Sequence, residues 1–358
     1  MNIFSYRLNS LKSNFDLKNN FLFISSLPDC FYYSGYRASN AFLLLSESKK
    51  YYLTDGRYVE EAGKYIGHLK VVKINKTVFE TVNTLTAGKK IIVSKNYISY
   101  NFYESLIKFF GTARIELSGT DFQEYRAIKS REEIDKIRES VRILAKAIGI
   151  AKKIIKPGIS EIDLKIELDY QIIKNGAEDI SFDTIVLFGK RTVYPHGHPI
   201  HNSILKQNDI IQIDCGSRYE GYCSDLSRAY YVGKCSPYFK KIYGLALSAQ
   251  KLAIEMSVEG KEISEIEKFV LSVFAKHKLD KYYLHRTGHG VGIEIHEKPA
   301  ISRLNSDTLK AGNIITIEPG VYLPGKFGIR IEDLLLIEKN KTSNLTESIR
   351  KEFYEIAI

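Results

Sequence analysis

Two stretches of this chain carry acids at matching places. LKQNDIIQIDCG occupies Leu205–Gly216 and LKAGNIITIEPG occupies Leu309–Gly320, offset by 104, so that Asp214 aligns with Glu318. A second acid follows in each copy, Asp225 eleven residues after Asp214 and Glu332 fourteen after Glu318. Each copy reads as a strand, a turn and a returning strand, and four acids on two matching hairpins predict a shared cation site. IIQID and IITIE set each first acid at the end of a hydrophobic strand, where an unpaired carboxylate is costly to bury and a bound metal removes that cost. Pairing with surface lysines at the strand ends is the plainer alternative, and it leaves the repeat unexplained.

Histidines supply the remaining chemistry. TGHGVGIEIHEKP places His289 and His296 seven residues apart among glycines that permit close backbone approach. No GK pair or helix start accompanies those glycines, which argues against a phosphate loop, and Ala300 stands where the helical zinc motif HExxH needs its second histidine. In FGKRTVYPHGHPIH, Gly189 precedes His196 by seven residues as His289 precedes His296, so His196 and His296 are expected as a catalytic pair flanking the cations. His198 and His201 read as loop histidines, and His285 either lines the site or caps a strand. Strand side chains alternate faces, which puts Arg330 with Glu332 and Cys223 with Asp225, while Asp333 and Cys215 point away. On that reading Cys223 faces the metals and is a point of oxidation sensitivity.

The elements that must position these residues repeat as well. ISEID at Ile159–Asp163 returns as ISEIE at Ile263–Glu267, again 104 residues on and ahead of an apolar helical run. Ser264 with Glu267 predicts a capping box, and Ser160 with Asp163 a weaker one. One repetition is too few for a solenoid, which leaves two related halves about a pseudo-twofold axis. Helices followed by strands, twice, favour an antiparallel sheet covered by helices over a parallel doubly wound sheet. Upstream, FLFISS, AFLLLS, YYLT, LKVVKI, KIIVS and ARIELS are strand candidates, with RYVEEAGKY and SYNFYESLIKFF as helices. QEYRAIKSREEIDKIR then reads as the link and first helix of the next domain, giving an α/β accessory domain over 1–124 and a catalytic domain over 125–358.

With 358 residues there is room for both domains. The net charge of +10 comes from basic residues scattered among acids, as in KSREEIDKIRES, so no basic stripe marks a nucleic-acid partner. No apolar run approaches the ~20 residues needed to span a bilayer, and MNIFSYRLNSLKSNF lacks the apolar core of a signal peptide, so a cytoplasmic protein without a membrane partner is expected. Four cysteines without CxxC spacing suit a reducing compartment.

IDCG, SDLSR, GHGVG, IEPGVY and RIED together resemble the five-ligand pattern of the pita-bread metallopeptidases, most closely the prolidase and Xaa-Pro aminopeptidase group. YYLTDGRYVEEA and YRAIKSREEIDKIR are similar to that group's N-terminal domain and linker. The resemblance implies an α+β fold, with a pita-bread catalytic domain of two pseudo-symmetric halves and a curved antiparallel sheet covered by helices, behind a smaller α/β domain. It implies that Asp225 and Glu332 bridge two metals, that Asp214 holds one, and that His289 and Glu318 hold the other. An oxygen-rich donor set favours Mn²⁺, with Co²⁺ or Zn²⁺ as alternatives. Two such ions can share a water and bring its pKa from ~16 towards neutrality, ready to attack the carbonyl before a proline. His296 or His196 would stabilise the developing charge and Glu318 would shuttle the proton. His285 and Arg330 are expected at the substrate, where Arg330 either binds a dipeptide carboxylate or braces a ligand. The partners implied are peptides with proline second and another copy of the chain in a homodimer. LFGKRTVYPH departs from the small, asparagine-containing run common in the group, so the substrate lip differs. A methionine aminopeptidase-like enzyme and a non-catalytic binding module on the same fold are the alternatives.

Overall fold

The computed structural model describes residues 3–351 and the backbone of residues 355–356. The chain divides into two compact units, Met1–Tyr125 and Arg126–Ile358.

In the first unit the helices are α1 (Ile3–Lys12), α2 (Leu27–Ser34), α3 (Val59–Tyr65), α4 (Val78–Thr86) and α5 (Tyr100–Phe110). All six expected strands form: β1 (Asn20–Ile24), β2 (Ala41–Leu45), β3 (Lys50–Thr54), β4 (Lys70–Lys73), β5 (Lys90–Ser94) and β6 (Ile115–Ser118). They lie in the order β4-β3-β2-β1-β5-β6, with β1-β2 and β2-β3 antiparallel and the other pairs parallel. The parallel pairs β3-β4 and β5-β6 are joined through α3 and α5, the crossover such a pair requires. Phe21 and Phe23 alternate onto one face, where Leu44, Leu53, Ile91 and Val93 meet Val82 of α4 and Leu106 and Phe110 of α5. Sequence periodicity passed over α2 and α4, although both carry start signals. Ser26 caps α2 ahead of a proline, and Thr77 with Glu80 forms a full capping box on α4.

The charged stretch expected as the link and first helix of the second domain holds two helices. Helix α6 (Gln123–Ala127) ends before Ser130, whose hydroxyl accepts from Glu133 N and starts α7 (Arg131–Ala151) with a capping box of its own. Then follow α8 (Glu161–Lys174), β7 (Asp179–Ile180), β8 (Ile185–Phe188), β9 (Ile210–Cys215), β10 (Ser217–Tyr219), β11 (Tyr222–Cys223) and β12 (Leu226–Val232). The pattern restarts with α9 (Pro237–Met256), α10 (Ile263–Lys276), β13 (Gly288–Gly290), β14 (Glu297–Ile301), β15 (Ile314–Ile317), β16 (Gly320–Leu323), β17 (Phe327–Arg330), β18 (Asp333–Ile337), β19 (Thr342–Asn344) and β20 (Glu355–Ile356).

Each half packs its own helix pair on its own strands. Leu144, Ile148, Leu164, Leu168 and Ile172 of α7 and α8 bury against Val186, Ile211, Ile213, Leu226 and Val232. Ala246, Ala249, Ala253, Ile266, Val270 and Phe274 of α9 and α10 bury against Ile315, Ile317, Leu335 and Ile337. Strand β9 pairs antiparallel with β12 and β8, and β15 pairs antiparallel with β18 and β13. This is the expected α+β arrangement of two related halves.

The repeat is imperfect where the second helix of each half begins. The weaker-looking box forms in full, with Ser160 accepting from Asp163 N at 3.1 Å and Asp163 reaching back to Ser160 N at 3.3 Å. The stronger-looking one does not form. Helix α10 starts two residues early in register, with Glu262 at the cap, so Ser264 is already inside the helix and Glu267 accepts instead from Arg303 N. Ser160→Ala is therefore expected to destabilise the protein by about 1 kcal/mol, the usual worth of a serine cap, and Ser264→Ala by less than half as much, both read by urea denaturation.

Candidate metal centre

The two halves bring their acids together through matched interruptions of strand. Asp214 lies near the end of β9, and Asp225 sits in the two-residue break between β11 and β12. Glu318 directly follows β15, and Glu332 sits in the equivalent break between β17 and β18. His289 is the middle residue of β13, which pairs with β15 at Gly290 and Ile315. Beta carbons at Gly288 and Gly290 would run into the carbonyls of Thr316 and Lys298, so these glycines permit close strand packing.

Ligand atoms of Asp225, His289 and Glu332 lie within 4.8 Å of one another. His289 Nε2 is 3.6 Å from Asp225 Oδ2 and 3.3 Å from Glu318 Oε1, which adds the fourth group. Asp214 is held beside them, accepting from Ser227 Oγ at 2.9 Å and from Arg330 Nη2. Neither carboxylate oxygen of Glu332 has a hydrogen-bond partner among the described residues, although the side chain is 1% exposed.

The electrostatics follow from that crowding. Burial, then the charges of Asp214 and Glu318, pushes Asp225 well above the usual carboxylate range. Glu332 is driven the same way by burial, then by Asp225, Glu318 and Asp214. Burial lifts Glu318 to about 8 against the pull of Arg330. His289 falls to about 3 through burial and the neighbouring His296, so its ring is neutral at pH 7. With Nδ1 donating to the Gly290 carbonyl at 3.1 Å, Nε2 offers its lone pair to the acids. Buried acids that resist ionisation, an orphaned carboxylate and a neutral imidazole aimed at them are the donor set a divalent cation fits.

The other histidines gather around this group. The His296 ring lies 4.3 Å from that of His289, edge to face, and burial followed by His196 lowers its pKa. His196 is exposed on the loop between β8 and β9, close enough to depress His285 as well. His285 bonds Tyr322 Oη at 3.0 Å, stands 4.0 Å from Glu318, and is brought down to about 4 by burial and Arg330. His198 is an exposed loop residue whose carbonyl accepts from Arg191, and His201 is exposed.

Arg330 is 3% exposed, and its guanidinium makes four internal bonds, to Ser227 Oγ, the Pro195 carbonyl, Tyr322 Oη and Asp214. Of the two options left by the sequence, this geometry matches the brace.

Cys223 requires a correction. Its thiol points to the Ile293 carbonyl at 3.6 Å, in the surroundings of Arg218 and Ser181, while Cys215 is the cysteine within electrostatic reach of Asp225 and Glu332. Alternation fails here because Ser224 and Asp225 lie outside the strands, so the pleat does not run from Cys223 to Asp225.

Supporting residues escaped the sequence reading. Thr316 Oγ1 accepts from His289 N at 3.0 Å and donates to Glu318 at 3.2 Å. Gln212, its repeat partner, accepts from Arg330 N at 3.0 Å. Both are lone polar residues two positions before an acid in an otherwise apolar run, a signal that was available. Arg126 and Lys129 bond buried Glu297 at 2.9 and 3.0 Å, directly after His296, and Arg126 also pairs with Glu294.

The chain matches metallopeptidase family M24 over residues 135–339 and the creatinase/prolidase N-terminal domain over residues 12–128. It is 33% identical to the Xaa-Pro dipeptidase of Pyrococcus horikoshii over 330 residues, covering 92% of this chain and 93% of that one. Among solved structures it superposes on an Xaa-Pro dipeptidase from Bacillus anthracis with a TM-score of 0.93 at 29% identity, covering 99% and 100% of the two chains. An X-Pro aminopeptidase from Thermotoga maritima gives a TM-score of 0.87 at 28% identity over 98% and 100%. No helix among the described residues is long and apolar enough to cross a membrane.

A carboxyl whose pKa is raised on folding adds stability that is complete below its unfolded value and is lost as pH climbs through the folded one. For Glu318 that window runs from 4.5 to about 8, and Asp225 and Glu332 act in the same direction. The gap in Tm between Mn²⁺-loaded and chelated protein should therefore widen from about pH 4.5 to about pH 8. Titration calorimetry near pH 7 in two buffers of different ionisation enthalpy should show protons released on Mn²⁺ uptake.

Proposed function

The chain belongs to metallopeptidase family M24, and from that premise we propose that it hydrolyses the bond between an N-terminal residue and a following proline with the help of two divalent cations. The observation that carries this reading is the orphaned, buried Glu332 carboxylate beside Asp225 and His289. Asp214, Asp225, His289, Glu318 and Glu332 would hold the ions. Bound cations supply Lewis-acid polarisation of the scissile carbonyl and a water acidified towards neutral pH.

The protein's own groups do the rest. His296 and His196 donate hydrogen bonds to the oxygen on which charge develops. Glu318, with one oxygen toward His289 and the other toward His285, carries a proton from the attacking water to the departing nitrogen. That transfer is essential because the proline nitrogen is a tertiary amide without N–H, and it leaves only once protonated as its bond to carbon breaks. Arg330 keeps Asp214 in place, and His285 with Tyr322 lines the substrate side. Residues 1–124 act as the accessory domain and 125–358 as the catalytic one. Manganese as the resident ion, a homodimer and a cytoplasmic setting belong to the same proposal, resting on the oxygen-rich donor set and the family resemblance.

Asp225→Ala should remove Mn²⁺-dependent Xaa-Pro hydrolysis, by more than the roughly hundredfold typical of losing only a ligand's supporting partner, while the circular dichroism spectrum is kept. Full activity after exhaustive chelation would contradict the proposal. Comparing Xaa-Pro with Xaa-Pro-Yaa assigns dipeptidase or aminopeptidase action, and turnover of Met-Ala in preference to either would favour a methionine aminopeptidase.

A further inference from the structure

The loop that carries His196 is organised from behind by one buried carboxylate. Glu161, the first residue of α8, is 0% exposed and serves four donors. Phe188 N at 2.8 Å lies at the start of the loop, and Ile200 N at 3.1 Å and Ser203 Oγ at 2.8 Å lie on the far side of His196. The fourth is Arg191, whose Nε stands 3.1 Å from both Glu161 oxygens. Arg191 Nη2 then donates to the His198 carbonyl at 2.7 Å. The guanidinium thus spans the loop from five residues before His196 to two residues after it. A further bond, from Arg330 Nη1 to the Pro195 carbonyl at 3.1 Å, ties the residue before His196 to the side chain that holds Asp214.

A fully buried carboxylate is stable only with its donors in place, and a helix N-terminus favours its charge without explaining an arginine bonded to both oxygens. The repeat does not reproduce this arrangement: the counterpart 104 residues later, Glu265, has a side chain 49% exposed and pairs with Lys261.

We infer that Glu161 and Arg191 are positioning residues that fix the β8-β9 loop so that His196 is presented to His285 and His296. The inference rests on the Xaa-Pro reading for the role of His196, and on hydrogen-bond geometry alone for the loop.

The test uses Arg191→Met, which leaves Glu161 its backbone donors, together with Arg191→Lys and His196→Ala. In Mn²⁺-loaded full-length protein, Arg191→Met should retain the wild-type metal content, lower kcat on the order of tenfold with little change in KM, and speed amide exchange across residues 188–203. Arg191→Lys, able to pair with Glu161, should recover part of both effects. In the His196→Ala background, Arg191→Met should lower kcat no further, because both changes remove one contribution. Unchanged exchange in this loop, a fall in kcat matched by lost metal, or full additivity with His196→Ala would overturn the inference. Wild-type protein inactive on every Xaa-Pro peptide would sink the functional reading instead, and the exchange measurement would still decide whether Arg191 holds the loop.

Discussion

Four carboxylates buried within reach of one another cannot all ionise in a protein interior unless a positive charge joins them. Asp225 and Glu332 repel each other, Glu318 and Asp214 add to the repulsion, and burial denies Asp225 and Glu332 the water that would relieve it. Arg330 offsets part of this through Asp214, but Glu332 is left with neither oxygen bonded among the described residues. Much of the surrounding structure is legible as the means of sustaining that arrangement. Thr316 joins Glu318 to the backbone of His289, Ser227 joins Asp214 to Arg330, and Arg228 secures the far side by bonding Asp333 at 2.8 Å and the Glu332 carbonyl.

The internal duplication explains how one chain assembles such a group. Each half supplies a helix pair and an antiparallel hairpin whose returning strand is broken for two residues just where its second acid stands. A break frees the acid from the pleat and turns it toward the partner half. The halves have since diverged in their support. In the first, Glu161 anchors the His196 loop from the start of α8, while in the second, Arg126 and Lys129 anchor Glu297 beside His296.

What could be read beforehand was what repeats or alternates. IIQID and IITIE, each followed by a second acid, are local patterns that identify both hairpins, and the six apolar runs of the first unit became its six strands. What escaped depends on contacts distant in sequence or on a register the pattern does not carry. Arg126 and Glu297 stand 171 residues apart. The two-residue shift of α10 undid the capping box expected from Ser264 and Glu267, and the break at Ser224 and Asp225 turned Cys223 away from the acids. A repeat fixes which residues correspond, while the packing of each half decides what those residues touch.

Anomalous diffraction at the manganese edge from crystals of Mn²⁺-loaded protein tests the central claim most directly. The account predicts anomalous density lying against the carboxylates of Asp225 and Glu332 and the Nε2 atom of His289, absent from crystals of Glu332→Ala. Fully loaded protein with its density elsewhere, or density undiminished in that variant, would contradict it.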